Sequence, residues 1–242
     1  LDLEMAADEA MVKIALTVKP DLVTLVPEKR QELTTEGGLD VAGMKERLQT
    51  TVSMLHDAGI PVSLFIEPDL NQIKAAHKIS ADFVELHTGR YANATKSKEA
   101  DAEFDAITQA AKLAYKLGMG VNAGHGLNYR NVARLTHIPE IVEYNIGHSI
   151  IARAVLVGLD QAVKEMKALL SSPACRRHSP LRNRRPSHDA TLTYPTIRCA
   201  PCGSTTANGY EKAYAAMMLI VTAAQMQALD RPSGCGVMSL DN

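Results

Sequence analysis

Two histidines flanked by glycine are the residues of this chain that are best suited to acid–base chemistry. His125 lies in the segment Gly124-His125-Gly126, directly after a short apolar stretch, and His148 follows Gly147 further along the chain. An imidazole titrates near neutral pH, so it can give or take a proton under physiological conditions. Neighbouring glycines let the backbone approach a ligand closely and leave the imidazole accessible. The two pairs therefore predict a catalytic face.

Two glutamates also lie within or beside short apolar stretches, as the two histidines do. Glu85 and His87 are separated by one residue in an apolar run, so both point to the same face of a strand. Glu4 lies between two apolar residues, an enclosure that would raise the pKa of its carboxyl towards neutrality. Carboxyl groups tuned in this way serve as general acids and bases. A polar loop that begins at Thr34 and ends in two glycines is suited to close over such a site as a lid.

The elements that must position these residues are short apolar strands alternating with amphipathic helices, a pattern that predicts a parallel sheet with right-handed crossovers. Gly59 and Gly118 follow two of the helices and read as C-caps. Predicted strands cover 1–6, 21–27, 61–67, 83–88, 120–123 and 142–146, and predicted helices cover 41–58, 70–79, 99–117 and 161–170. We therefore expect an α/β fold, a TIM-type (β/α)8 barrel that is incomplete at about six βα units, with its site at the carboxyl ends of the strands.

The composition changes near residue 171, which predicts two parts. Residues 1–170 form the partial barrel and have a net charge of −5, whereas residues 171–242 have a net charge of +4 and hold all four cysteines and six of the eleven prolines. The basic tail is predicted to be irregular and largely disordered, with one helix near 210–229. This helix could dock on a neighbour or cover an exposed edge, and a read-through, frameshifted or fused segment is equally plausible.

A cysteine pair in the tail has the spacing of zinc ligands. The pair is Cys199 and Cys202, and the potential partners are Cys175, His178, His188 and Cys235. A single CxxC without a second pair at a set spacing is a weak signal, so we predict no metal site.

Composition also excludes several classes of protein. The formal net charge is −1, and no run approaches the roughly 18 apolar residues that span a bilayer. The acidic first residues do not resemble a signal peptide, and residues 1–170 offer no disulfide framework, so we expect a cytoplasmic protein. The chain starts without Met inside a predicted strand, which leads us to expect that its beginning is missing.

From residue 1 to about 170, the chain resembles the pyridoxine 5'-phosphate synthase family of vitamin B6 biosynthesis. The blocks that carry the resemblance are 25–40, 62–66, 85–89, 121–127 and 145–148. Chance would hardly supply all five blocks in order, so we regard the resemblance as highly specific. It implies a barrel enzyme that condenses 1-deoxy-D-xylulose 5-phosphate with 3-amino-1-hydroxyacetone 1-phosphate, closes the pyridine ring and releases phosphate and water.

The resemblance also implies roles for individual residues. Glu4 matches a proton acceptor, His125 a proton donor, and Glu85 a carboxylate that stabilises a transition state. Thr34 matches a contact to the deoxyxylulose phosphate. The contacts to the amino-ketone phosphate match Gly126, Gly147 and His148. The implied partners are phosphorylated small molecules and further copies of the barrel, and neither a metal nor an organic cofactor is implied.

One departure from the family has a functional consequence. The family's first two βα units, which carry another proton acceptor and much of the phosphate binding, have no counterpart in this sequence. Without them the barrel cannot close, and the edges of the first and last strands would be unpaired. We therefore expect the chain alone to be inactive or nearly so, unless another chain supplies the missing units.

Simpler interpretations and other functions stay open at this point. Taken singly, Glu4 could form a structural salt bridge, Glu85 and His87 could hydrogen-bond within the barrel, and the glycines around His125 could mark a turn. One alternative function is another phosphosugar lyase or aldolase, which would need a Schiff-base lysine, yet Lys19 and Lys29 lie outside the predicted strands. Another is a non-catalytic barrel remnant whose basic tail binds nucleic acid, which the overall charge does not favour.

Overall fold

The computed structural model describes residues 1–27 and 37–171. Its strands are β1 (Asp2–Met5), β2 (Leu22–Leu25), β3 (Val62–Ile66), β4 (Phe83–His87), β5 (Gly120–Gly124) and β6 (Ile141–Asn145). All six are parallel and pair in sequence order from β1 to β6. The sheet curls into a half-barrel, as expected for an incomplete TIM-type barrel. The predictions for Thr34, for the tail helix near 210–229 and for the CxxC pair fall outside the described residues.

Helices cover the outer face of this sheet. They are α1 (Glu9–Val18), α2 (Lys45–Asp57), α3 (Leu70–Lys78), α4 (Gly89–Asn93), α5 (Ser97–Lys116), α6 (Val132–Leu135), α7 (His148–Val157) and α8 (Leu159–Leu170). The four predicted helices correspond to α2, α3, α5 and α8, and the glycines after α2 and α5 have left-handed φ values of 75° and 90°. Helix α1 was not predicted from the sequence, although Asp8 caps it by accepting a hydrogen bond from the Met11 N–H at 2.9 Å.

The apolar core lies between the outer face of the sheet and the helices. Alternate residues of each strand point outwards and are excluded from solvent, among them Leu64 and Leu86. They pack against helix residues such as Leu48 and Ile107, which are also fully buried. Burying each of these side chains contributes about 1.5–3 kcal/mol to folding.

The inner face of the half-barrel has the opposite character. Register partners in adjacent parallel strands share a face, so Glu4, Thr24 and Ser63 form one inward row, and Phe65, Glu85, Asn122 and Glu143 form the next. Most of these side chains are polar, which an ordinary core would not tolerate. The fold therefore separates an outer apolar layer that provides stability from an inner polar layer that is available for chemistry.

Both lateral edges of the half-barrel are open within the described part of the chain. β1 pairs there only with β2, and β6 only with β5. Apolar side chains are exposed beside the β6 edge, with Val142, Ile151 and Val155 at 52%, 51% and 81% of their full exposure. A closed barrel of this class has eight strands, so two further βα units would fill the gap. Among the described helices, none combines the length and apolar character needed to cross a bilayer.

Candidate active site

Four carboxyl groups converge on the inner face of the half-barrel. Asp2 and Glu4 come from β1, Glu85 from β4 and Glu143 from β6. Burial of the carboxyl group raises the pKa of Glu4 and of Glu143, although Glu143 as a whole residue is exposed on β6. Burial raises the pKa of Asp2 to about 7, helped by the charges of Glu143 and Glu4. Burial likewise raises the pKa of Glu85 to about 8, with the charge of Glu4 as the next contribution. The cluster therefore holds protons at neutral pH and can exchange them.

The cause of the shift at Glu4 differs from the one that the sequence suggested. Leu3 and Met5 are buried on the outer side of β1, whereas Glu4 faces inwards beside Thr24. Its desolvation therefore comes from the concave inner face and not from its sequence neighbours. The predicted direction of the pKa shift is confirmed, but the predicted reason is wrong.

Glu85 is held in place by a glycine and an amide. Asn145 Nδ2 donates a hydrogen bond to Glu85 Oε2 at 2.8 Å. A Cβ on Gly124 would lie 2.0 Å from Glu85 Oε1, so only glycine leaves room for the carboxyl group there. Glu85 itself is 4% exposed. Its neutral form is favoured by this environment, which makes it a hydrogen-bond donor and proton source at neutral pH.

His125 follows β5 in an unusual backbone conformation. Its φ is 77°, in the left-handed region that non-glycine residues rarely adopt, and Gly126 follows with φ 76°. Thr88 fixes this turn, because its Oγ1 lies 2.7 Å from the Gly124 carbonyl oxygen and 2.6 Å from that of His125. The side chain of His125 is exposed at the carboxyl end of the sheet. Such strain persists where the surrounding structure imposes it, which is typical of functional sites.

A second imidazole lies beneath His125. The ring centroids of His87 and His125 are 4.8 Å apart, and Phe65 contacts both rings. His87 Nδ1 lies 2.7 Å from Glu67 Oε1, which also accepts the Gly38 N–H at 3.1 Å. Burial alone would raise the pKa of Glu67, but the hydrogen bond from His87 and then that from Gly38 hold it below its usual value. Glu67 is therefore a carboxylate to which His87 donates.

The predicted phosphate contacts lie at the same end of the strands. Gly147 is the N-cap residue of α7, and His148 is the exposed first residue of that helix. A helix N-terminus offers free N–H groups to an anion. Gly126 does not precede a helix directly, because it is followed by a turn in which Asn131 Nδ2 donates to its carbonyl oxygen at 3.2 Å. A strand therefore leads directly into a helix at Gly147 but not at Gly126.

Several site residues were not predicted from the sequence. Asp2, Thr88, Asn145 and Glu143 reach the inner face or the strand ends, and Glu67 supports His87. The two-residue alternation in β6 was the available signal for Asn145 and Glu143. No sequence signal predicted the clamp by Thr88, because it depends on the neighbouring strand. Thr34 lies outside the described residues.

The described strands place acidic side chains, but no strongly basic ones, on the inner face. None of the inward-facing residues in the six strands is lysine or arginine. No cluster of three or more potential metal ligands occurs within residues 1–27 and 37–171. Lys19, a residue considered for Schiff-base chemistry, ends α1 and precedes β2, so it lies at the amino end of the strands. The arrangement suits proton transfer and not imine formation with that lysine.

Comparison with known proteins identifies the family. A family model described as pyridoxal phosphate biosynthesis protein PdxJ matches residues 1–172. A pyridoxine 5'-phosphate synthase of Syntrophobacter fumaroxidans is 55% identical over 171 residues, 71% of this chain and 72% of that protein. One of a Synechococcus species is 60% identical over 167 residues, 69% of this chain and 70% of that protein.

A solved structure, the Amycolatopsis orientalis BexX/CysO complex, matches with a TM-score of 0.45 and 14% identity over 70% of this chain and 66% of that one, which is too weak a likeness to inform function. The family model, in contrast, spans well over half of the 242 residues. The two relatives agree with it over the same length and carry one enzyme name. The chain therefore belongs to the PdxJ family of pyridoxal phosphate biosynthesis proteins.

Proposed function

We propose that this chain provides the carboxylate and histidine face of a pyridoxine 5'-phosphate synthase. The reaction joins 1-deoxy-D-xylulose 5-phosphate to 3-amino-1-hydroxyacetone 1-phosphate and closes a pyridine ring. Ring closure needs several proton transfers at carbonyl, imine and hydroxyl groups around one substrate. Groups with pKa values near neutrality must therefore surround it, and the inner face supplies them at Glu85 and Asp2.

Three residues carry the proposed proton transfers. Glu4 is the proton acceptor, because its raised pKa gives its carboxylate more affinity for a proton than an exposed one has. His125 is the proton donor at the mouth of the barrel. Glu85 stabilises the transition state from its fixed position beside Asn145. The observation that carries the proposal is the strand register, which puts Glu4 of β1 and Glu85 of β4 on the same inner face of the curled sheet.

The described face supplies only some of the groups that bind the two substrate phosphates. Backbone N–H groups at Gly126 and Gly147, with the side chain of His148, bind the amino-ketone phosphate, and Thr34 contacts the deoxyxylulose phosphate. Two phosphorylated substrates nevertheless cannot be neutralised by an inner face with four acidic groups and no lysine or arginine on its described strands. We therefore expect residues 1–171 alone to be inactive or nearly so, unless another chain supplies two further βα units with cationic side chains.

A chimera tests this function directly. The matched segment of the Synechococcus synthase is replaced with residues 1–171 of this chain, and pyridoxine 5'-phosphate formation is followed with both substrates. We expect turnover in the chimera and its loss, by at least about 100-fold, in Glu85→Gln and His125→Asn versions. Folded chimeras that give no turnover, or variants that keep the full rate, would contradict the proposal. Cytoplasmic location and homo-oligomeric assembly remain predictions.

A further inference from the structure

His87 is deeply buried, and one of its ring nitrogens makes no hydrogen bond within the described part of the chain. The residue is 2% exposed, and its Nε2 is shielded from solvent without a hydrogen-bond partner among residues 1–27 and 37–171. Leaving such a group unpaired costs about 1–3 kcal/mol. We therefore expect this buried nitrogen to gain a hydrogen-bond partner when the enzyme turns over.

The hydrogen bond at Nδ1 of His87 determines which kind of partner its Nε2 can have. Glu67 stays ionised, because its hydrogen bonds with His87 and Gly38 outweigh the effect of burial on its pKa. An ionised carboxylate only accepts, so Nδ1 of His87 donates to it at 2.7 Å. A neutral imidazole held in this way presents a lone pair at Nε2, and its partner is then an N–H or O–H donor.

The imidazole of His125 stands where that donor is needed. A Cβ on Gly89 would lie 2.7 Å from Nε2 of His87 and 3.0 Å from Cδ2 of His125, so the two ring edges meet over the same glycine. Cδ2 is bonded to both Cγ and Nε2, and with the ring centroids 4.8 Å apart a rotation of the His125 ring can bring its Nε2 to Nε2 of His87. Phe65 packs against both rings and limits water between them. His125 is exposed on its other side, where substrate would arrive.

We propose that Glu67, His87 and His125 form a hydrogen-bonded relay in which His87 is a positioning residue for His125. His87 Nε2 accepts the Nε2–H of His125, which leaves Nδ1 of His125 facing the substrate. The cationic His125 gives its Nδ1 proton to the substrate and keeps Nε2–H throughout. It returns to the cation when it takes one proton back at Nδ1. This inference deepens the proposed role of His125 as proton donor and rests on it.

The relay predicts how the pKa of His125 depends on His87. A hydrogen bond accepted by His87 favours the cationic form of His125 and so raises its pKa. Among the residues that the structure describes, the other charged or titratable groups near the pair include Glu67, Arg90, which acts on Glu67, and Glu85, whose Oε1 lies at Gly124 next to His125. All three are retained when His87 alone is replaced, so a change in His125 then reports the relay.

Imidazole nitrogen NMR on the full 242-residue chain, titrated from about pH 5 to 9, tests the relay. His125→Asn assigns the signal. In the wild type, we expect the neutral form of His125 to carry its proton on Nε2. His87→Asn keeps a donor near the Nδ1 position but removes the acceptor, and should lower the pKa of His125 by about one unit. His87→Gln, which restores a polar atom near the Nε2 position, should recover part of that shift.

A matched control is His56→Gln, which removes another histidine paired with a carboxylate, at 2.8 Å from Asp82. It should leave the His125 titration unchanged. An Nδ1–H tautomer in the wild type, or an unchanged His125 pKa in a folded His87→Asn protein, would overturn the relay. If His87→Asn does not fold, the wild-type tautomer alone decides. Turnover in the chimera decides the synthase function separately, because the NMR readout needs no substrate.

Discussion

The hydroxyl oxygen of Thr88 lies 2.6 Å from the carbonyl oxygen of His125 and 2.7 Å from that of Gly124. One buried side chain thus fixes the turn in which His125 holds a φ of 77°. A left-handed conformation costs about 1–2 kcal/mol for a residue with a Cβ. The hydrogen bonds of Thr88 offset that cost and hold the imidazole over His87.

Replacing Thr88 with valine should loosen this turn. The His125 carbonyl oxygen loses its hydroxyl donor, whereas that of Gly124 keeps the Thr88 N–H at 2.8 Å, so we expect a destabilisation of about 1–2 kcal/mol in urea unfolding. Thr136→Val is the matched control, since Thr136 is also buried and donates to the Ala133 carbonyl oxygen at 2.8 Å. Both variants should lose similar stability, but only Thr88→Val should reduce turnover in the chimera. Equal turnover in the two would show that the clamp is purely structural.

Replacing Gly124 with alanine should displace Glu85. The added Cβ would lie 2.0 Å from Glu85 Oε1, so the carboxyl group must leave Asn145. Overpacking of this kind costs about 1–3 kcal/mol in urea unfolding. Combining it with Glu85→Ala removes the clash, so the double variant should lose clearly less stability than the sum of the single ones. Gly37→Ala, whose Cβ meets nothing closer than 3.9 Å, is the stability control.

The stability of the fold should fall as the pH rises through neutrality. Burial raises the pKa of Glu85 to about 8, so the folded state binds its proton more tightly than the unfolded state does. Stability from this group is present at low pH and is lost between its unfolded pKa, about 4.3, and about 8. Glu85→Gln should flatten this fall by roughly 2 kcal/mol, because the neighbouring carboxyls share the proton uptake. An unchanged pH profile in this variant would contradict the assignment.

His56, at the amino end of the strands, should also make the stability of the fold depend on pH. The hydrogen bond from His56 to Asp82 raises the pKa of His56. A raised histidine pKa stabilises the fold below the unfolded value of about 6.5, and that stability is lost as the pH rises through the folded value. His56→Gln should therefore cost more at pH 5.5 than at pH 8.5, by roughly 0.5 kcal/mol for a partly exposed pair. A cost independent of pH would show that the pair contributes only packing.

The strands were predictable because their apolar runs are short and separated by clear helical patterns. All six predicted strands are present within two residues of their predicted limits. Helix α7 was not predicted, since its run of β-branched residues after Gly147 reads equally well as a strand. Its apolar residues are also largely exposed, so the amphipathic pattern that indicates a helix is missing.

The site was predictable in its parts but not in its arrangement. The alternation in β4 placed Glu85 and His87 on one face, as the structure confirms. The approach of β1 and β6 residues across the half-barrel, which joins Asp2 to Glu143, depends on the curl of the sheet. The strained φ of His125 depends on Thr88 in a neighbouring strand connection. Such long-range relationships leave no local pattern in the sequence.

The most direct test of the central claim is the turnover of the 242-residue chain beside that of the chimera, with both phosphorylated substrates. The account predicts no product above background from the chain alone and clear product from the chimera, in which residues 1–171 are completed to a closed barrel. A rate for the chain alone near that of the complete Synechococcus enzyme would contradict it, because the described acidic face would then bind both phosphates without further cationic groups.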